Sequence, residues 1–103
     1  MPPRPLAVLV VDDNRDGADS LAELVRLHGH AARAAYTPAA LAALDGFAPD
    51  AVVMDLAIPG RDGYNLAREI CGRLAQRPLL VAMTGHTSLA RRFQEEGFHE
   101  HFF

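Results

Sequence analysis

The sequence predicts an α/β fold: a five-stranded parallel sheet, doubly wound, with helices on both faces. Two observations predict it. Short apolar runs alternate strictly with stretches of helical period, four times, and a fifth apolar run follows; that alternation builds a parallel sheet through right-handed crossovers. The runs are also continuously apolar rather than apolar at every second residue, as in strands covered on both sides. A length of 103 residues suits one domain around one core.

The first strand is "PLAVLVV" (5–11), too short for a helix and rich in valine. A helix follows over 16–28, where Ala18, Leu21, Leu24, Val25 and His28 fall at helical spacing, and Gly29 supplies its stop. "HAARAA" (30–35) is a weak second strand. Thr37 then N-caps a helix, "PAALAALDGF" (38–47), with Pro38 at its first position and an end near Gly46. "PDAVVMD" (49–55) is the third strand. The helix over 64–76 sets Leu66, Ile70 and Leu74 four residues apart, and "PLLVAMT" (78–84) is the fourth strand. A helix over 88–96 closes at Gly97, and "HEHFF" (99–103) begins a fifth strand.

Half of the residues are hydrophobic and 22% are charged, the balance of an ordinary globular domain. The formal net charge of -3 gives no general attraction to nucleic acid or to an anionic membrane surface. No apolar run approaches the roughly 18 residues of a membrane span, and the first ten residues lack the length and flanks of a signal peptide. Cys71 is the one cysteine, so no internal disulfide forms, and a cytoplasmic setting is the simplest. Cys71 reads as a packed small residue on its helix rather than a redox centre. The chain has no lysine; its ten cations are all arginine.

Ligands of an open parallel sheet bind at the carboxyl ends of the strands, near the switch in strand order. Asp12 and Asp13 follow the first strand, Asp55 ends the third and Thr84 ends the fourth. Each acid alone reads as a turn or cap residue; three at one edge are harder to explain by capping. Gathered carboxylates repel one another and hold their protons more tightly. A divalent cation relieves this, and hard oxygen donors suit magnesium. Asp62 and Gly63 belong to the turn and the next helix start, where the helix dipole favours a carboxylate.

The runs "VLVVDDN" (8–14), "DAVVMDLAIPGRDG" (50–63), "LLVAMTGH" (79–86) and "EEGFHEHFF" (95–103) lie in the order found in response-regulator receiver domains of two-component signalling, which the chain resembles over almost its whole length. The helix "ADSLAELVRLHGH" is similar to receivers attached to hybrid sensor histidine kinases. The resemblance implies the flavodoxin-like receiver fold and a phosphorylation-dependent switch. Asp55 matches the phospho-acceptor. Asp13 matches the direct Mg2+ ligand, Asp12 the acid holding a metal-bound water, and the backbone carbonyl of Ala57 a further ligand, in a loop shaped by Pro59 and Gly60. Thr84 matches the hydroxyl that hydrogen-bonds the phosphoryl group, and His101 the switch position on the fifth strand. His86 and Ala57 match positions that tune dephosphorylation. The implied partner is a sensor histidine kinase or a histidine phosphotransfer domain. No nucleic-acid binding or membrane insertion is implied, and there is room for a homodimer. Such a domain is not an enzyme beyond catalysing its own phosphorylation and dephosphorylation.

The chain departs from the family at one point. Receivers place a lysine, then a proline, just after the fifth strand, and then a last helix; here that lysine would follow Phe103. This fits a receiver domain over 1–103 truncated at its C-terminus and lacking its last helix, or a naturally short, degenerate one; an end inside an apolar run favours the first. No effector domain lies within the chain. His99 and His101 share a strand face, but two ligands are too few for a transition-metal site. Two other readings stand beside the switch. One is a receiver-like interaction module that never turns over phosphate. The other is an aspartate-nucleophile phosphatase, which wants a second acid where Ala57 stands. Neither a dinucleotide-binding nor a P-loop glycine motif occurs.

Overall fold

The computed structural model describes residues 5–36, 40–55, 63–83 and 100–102. In chain order they form β1 (Ala7–Val11), α1 (Arg15–Leu27), β2 (Ala31–Ala35), a 3-10 turn (Ala42–Leu44), β3 (Ala51–Asp55), α2 (Gly63–Gly72), β4 (Leu79–Met83) and β5 (Glu100–Phe102). The five strands make one parallel sheet in the order β2-β1-β3-β4-β5. This is the predicted fold class. The chain winds from β1 to one edge, then returns past β1 to build the other side, so the switch in strand order lies between β1 and β3.

Alternation along the strands divides the core in two. Leu9 and Val11, Val52 and Met54, and Leu80 and Ala82 face one way and pack on Leu66, Ala67 and Ile70 of α2. Val8 and Val10 with Ala51 face the other way, onto Ala18 and Ala22 of α1. Both faces of β1 and β3 are therefore covered, which is why these strands read as unbroken apolar runs. Leu9, Val52, Leu66 and Ile70 are wholly buried.

α1 begins one residue earlier than its apolar period, because Asn14 caps it: the Asn14 side chain accepts the Gly17 N–H at 3.0 Å. It stops where predicted, with Gly29 at φ 90°. The Arg26 side chain of α1 donates through Nε and Nη2 to the carbonyl of Ala32, at 3.2 and 2.8 Å. The Ala31 N–H reaches Leu6 and the Ala35 carbonyl takes the Asp12 N–H, so the backbone groups of residues 32 and 34 point away from β1. Arg26 thus occupies an outward carbonyl of an edge strand, where another strand would otherwise add.

The helix expected over 38–47 is not seen in its described part. Residues 42–44 form a single 3-10 turn with bonds spaced three apart, and Gly46 adopts φ 69°. The Arg33 side chain of β2 donates to the carbonyls of Ala43 and Asp45, at 2.8 and 3.0 Å, and its guanidinium lies over the Phe47 ring. Those carbonyls are thereby bonded without further helical turns. α2 ends at Gly72 rather than at 76, closing with tight bonds from Arg73 to Ile70 and from Leu74 to Cys71; glycine is a poor helix interior. The helix expected over 88–96 lies outside the described residues.

Candidate metal centre

β1 and β3 are neighbours, with Val11 paired to Met54, so Asp12 and Asp55 emerge together at the carboxyl edge. Asp12, Asp13 and Asp55 each offer one carboxylate oxygen, and these oxygens all lie within 4.8 Å of one another. Asp13 is exposed; Asp12 and Asp55 are half-buried. Burial first, and then the carboxylates of Asp13 and Asp55, raise the Asp12 pKa above its ordinary value; the backbone N–H of Asn14 works against them. The protein alone thus leaves repulsion among the three acids, and an all-oxygen donor set of this charge fits a hard divalent cation.

Two residues to which the sequence reading gave no role in the site shape it. The backbone N–H of Asn14 donates to Asp12 Oδ1 at 3.0 Å, while the Asn14 side chain caps α1. One residue therefore ties the acidic loop to the helix start. Its signal in the sequence is an asparagine three residues before a helical glycine. Gly17 faces the same loop: a Cβ there would lie 3.7 Å from Asp12 Oδ2 and 3.6 Å from Asn14 Cγ. Between α1 and the sheet a groove of about 330 Å³ runs up to Asp12 and Asp55, lined among others by Leu21, Leu24, Val53 and Met83.

On the β2 side of the edge, the guanidinium of Arg15 lies 4.4 Å from the centre of the Tyr36 ring. The Tyr36 hydroxyl donates to the Asp19 carboxylate. That bond, before any other influence, raises the tyrosine pKa above its ordinary value, so the hydroxyl keeps its proton and remains the donor.

An acid at the opposite edge has a different task. Asp50 Oδ2 accepts the Ala7 N–H at 2.9 Å, its own N–H donates to the Ala7 carbonyl at 2.7 Å, and its carbonyl accepts the Leu79 N–H at 2.9 Å. It pins the starts of β1, β3 and β4 together.

The structure thus brings together the three acids selected from sequence. Ala57, Pro59, Gly60, Asp62, Thr84, His86 and His99 lie outside the described residues. His101 stands on β5 beside Ala82 of β4. Among the described residues, no helix is long and apolar enough to cross a membrane.

A family profile described as the response regulator receiver domain matches residues 8–102. The positive alginate biosynthesis regulatory protein of Pseudomonas aeruginosa is 36% identical over 87 residues, 81% of this chain and 35% of that protein. The response regulator MprA of Mycobacterium tuberculosis is 34% identical over 88 residues, 82% of this chain and 37% of its own. The chain thus spans about a third of the length of the curated relatives it matches. Among solved structures, NtrX from Brucella abortus superposes with a TM-score of 0.82 at 29% identity, over 95% of this chain and 23% of that one. A response regulator from Burkholderia pseudomallei, crystallised with a phosphorylated aspartic acid, calcium ion and citrate, gives 0.82 at 23% identity, over 94% of this chain and 58% of that one; at that identity the likeness is of fold.

Proposed function

The chain belongs to the response-regulator receiver family, and on that premise we propose that it is a Mg2+-dependent phosphorylation switch with Asp55 as its phospho-acceptor. The observation that carries the reading is the convergence of Asp12, Asp13 and Asp55, their oxygens within 4.8 Å, at the switch point of the sheet. An Asp55 carboxylate oxygen forms the new O–P bond. The P–N bond of the donor phosphohistidine breaks, and the imidazole leaves with the electron pair. Asp13, Asp55 and the carbonyl of Ala57 would hold the cation directly, and Asp12 through water. Bound there, Mg2+ supplies neutralising charge for the phosphoryl oxygens. The protein's contribution is position: β1 and β3 fix the acids, and the Asn14 N–H orients Asp12. Thr84 would hydrogen-bond the phosphoryl group and move with His101. The donor is a sensor histidine kinase or a histidine phosphotransfer domain, and the setting is the cytoplasm. The domain acts on no substrate other than itself.

The test is labelling from acetyl phosphate, or from a phosphohistidine donor, in the presence of Mg2+. Wild-type protein should form a hydroxylamine-sensitive acyl phosphate, and Asp55→Asn should form none, because an amide cannot make that bond. Full labelling of the variant would place the acceptor elsewhere. An unlabelled wild type that still binds the kinase would point to a phosphorylation-independent interaction module.

A further inference from the structure

Arg15 stands where local electrostatics do not favour it. It is the first residue of α1, and the amino end of a helix repels a cation. Broken local rules of this kind concentrate at functional sites. Two residues after Asp13, its guanidinium is held over the Tyr36 ring, 4.4 Å from the centre. Tyr36 is fixed at both ends. Its backbone follows Ala35, whose carbonyl accepts the Asp12 N–H at 3.1 Å, and its hydroxyl is bonded to Asp19 on α1. The ring is a shelf beside the acidic cluster, and the cation lies on the shelf.

We propose that Arg15 is a specificity-determining residue of this site: carried on Tyr36, it keeps a positive charge at the β2 side of the rim and draws in anionic phosphoryl donors, without falling onto the metal-binding carboxylates. This rests on the phosphoryl-acceptor reading above. A donor phosphate is an anion approaching three carboxylates, so its encounter is slowed by repulsion, and a cation at the rim offsets part of it. The same cation opposes metal binding. A unit charge roughly 10 Å from a doubly charged ion in water shifts its binding by about fourfold at low ionic strength, and screening removes the effect at high salt. Tyr36 makes the two effects separable, because its ring competes with the carboxylates for the guanidinium.

The experiment measures Mg2+ affinity by titration, and the rate of labelling by acetyl phosphate at equal Mg2+ saturation, both at low ionic strength and in about 0.5 M salt. Arg15→Gln should bind Mg2+ about fourfold more tightly and label about fourfold more slowly, Arg15→Glu about sixteenfold in each direction, and Arg15→Lys should stay near wild type. All these differences should vanish in high salt. Tyr36→Leu should weaken Mg2+ binding by releasing Arg15 onto the acids, and the Arg15→Gln/Tyr36→Leu double variant should match Arg15→Gln alone. A purely structural brace between α1 and β2 predicts the opposite pattern, with affinity and rate falling together whatever the salt, and that result would overturn the proposal. So would an unchanged Mg2+ affinity in Arg15→Glu. If wild-type protein fails to label at all, the acceptor reading falls, while the Mg2+ titrations still judge the placement of Arg15.

Discussion

Asp12 holds its proton more readily than an ordinary aspartate because it is half-buried beside two other carboxylates. The consequence for stability has a definite sign. A carboxyl whose pKa is higher in the folded than in the unfolded chain favours folding while it is protonated. That contribution is complete below the unfolded value, near 3.8, and is lost as pH rises through the folded value. At neutral pH, without metal, Asp12 therefore works against the fold. Asp12→Asn should melt higher than wild type at pH 7 in EDTA, and the gap should narrow as the pH is lowered towards 3.8. Thermal melts across that range would show it, and a gap that widened on acidification would refute the assignment. The site acids were legible in the sequence because each directly ends or follows an apolar run. Arg15 and Tyr36 were not, because residues 15 and 36 become neighbours only through the pairing of β1 with β2.

At the scale of elements, the strands and the stop of α1 were readable from local chemistry: valine-rich runs, and a glycine where φ turns positive. The segment over 38–47 misled because alanine, leucine and an N-terminal proline all speak for a helix. What bonds its carbonyls is Arg33, from the neighbouring strand, and no local pattern reveals that. The start of α1 offers a test. Asn14→Ala removes the side-chain acceptor for Gly17 N–H and should cost about 1 kcal/mol, or about 4–8 °C in Tm for a domain of this size. Asn14→Ser should recover most of the loss. Asn14→Asp caps as well but adds a fourth carboxylate to the cluster, so in metal-free protein it should recover less than serine. Equal melting of the aspartate and serine variants would mean that the cluster does not feel charge at that position.

For the whole molecule, the two edges of the sheet divide the work between acids of one chemical kind. Asp50 at the amino edge spends its carboxylate on the Ala7 N–H and joins three strands. Asp12, Asp13 and Asp55 at the carboxyl edge have oxygens close enough to share a cation. A ligand that binds only the folded chain adds RT ln(1 + [L]/Kd) to stability, about 1.4 kcal/mol at ten times Kd. For a domain of this size that corresponds to a Tm higher by about 6–11 °C. Wild-type protein should show this rise with Mg2+ and lose it to EDTA. Asp13→Ala should show little of it at the same concentration, having lost a ligand and a charge that recruits the cation. Asp50→Ala should melt lower throughout, because the Ala7 N–H loses its acceptor, yet the increment from Mg2+ should remain whole. That pairing separates the two roles: one acid moves the baseline, the other the response. If Asp50→Ala also abolished the response, the amino edge would be coupled to the metal centre through β1, and the division of labour between the edges would have to be given up.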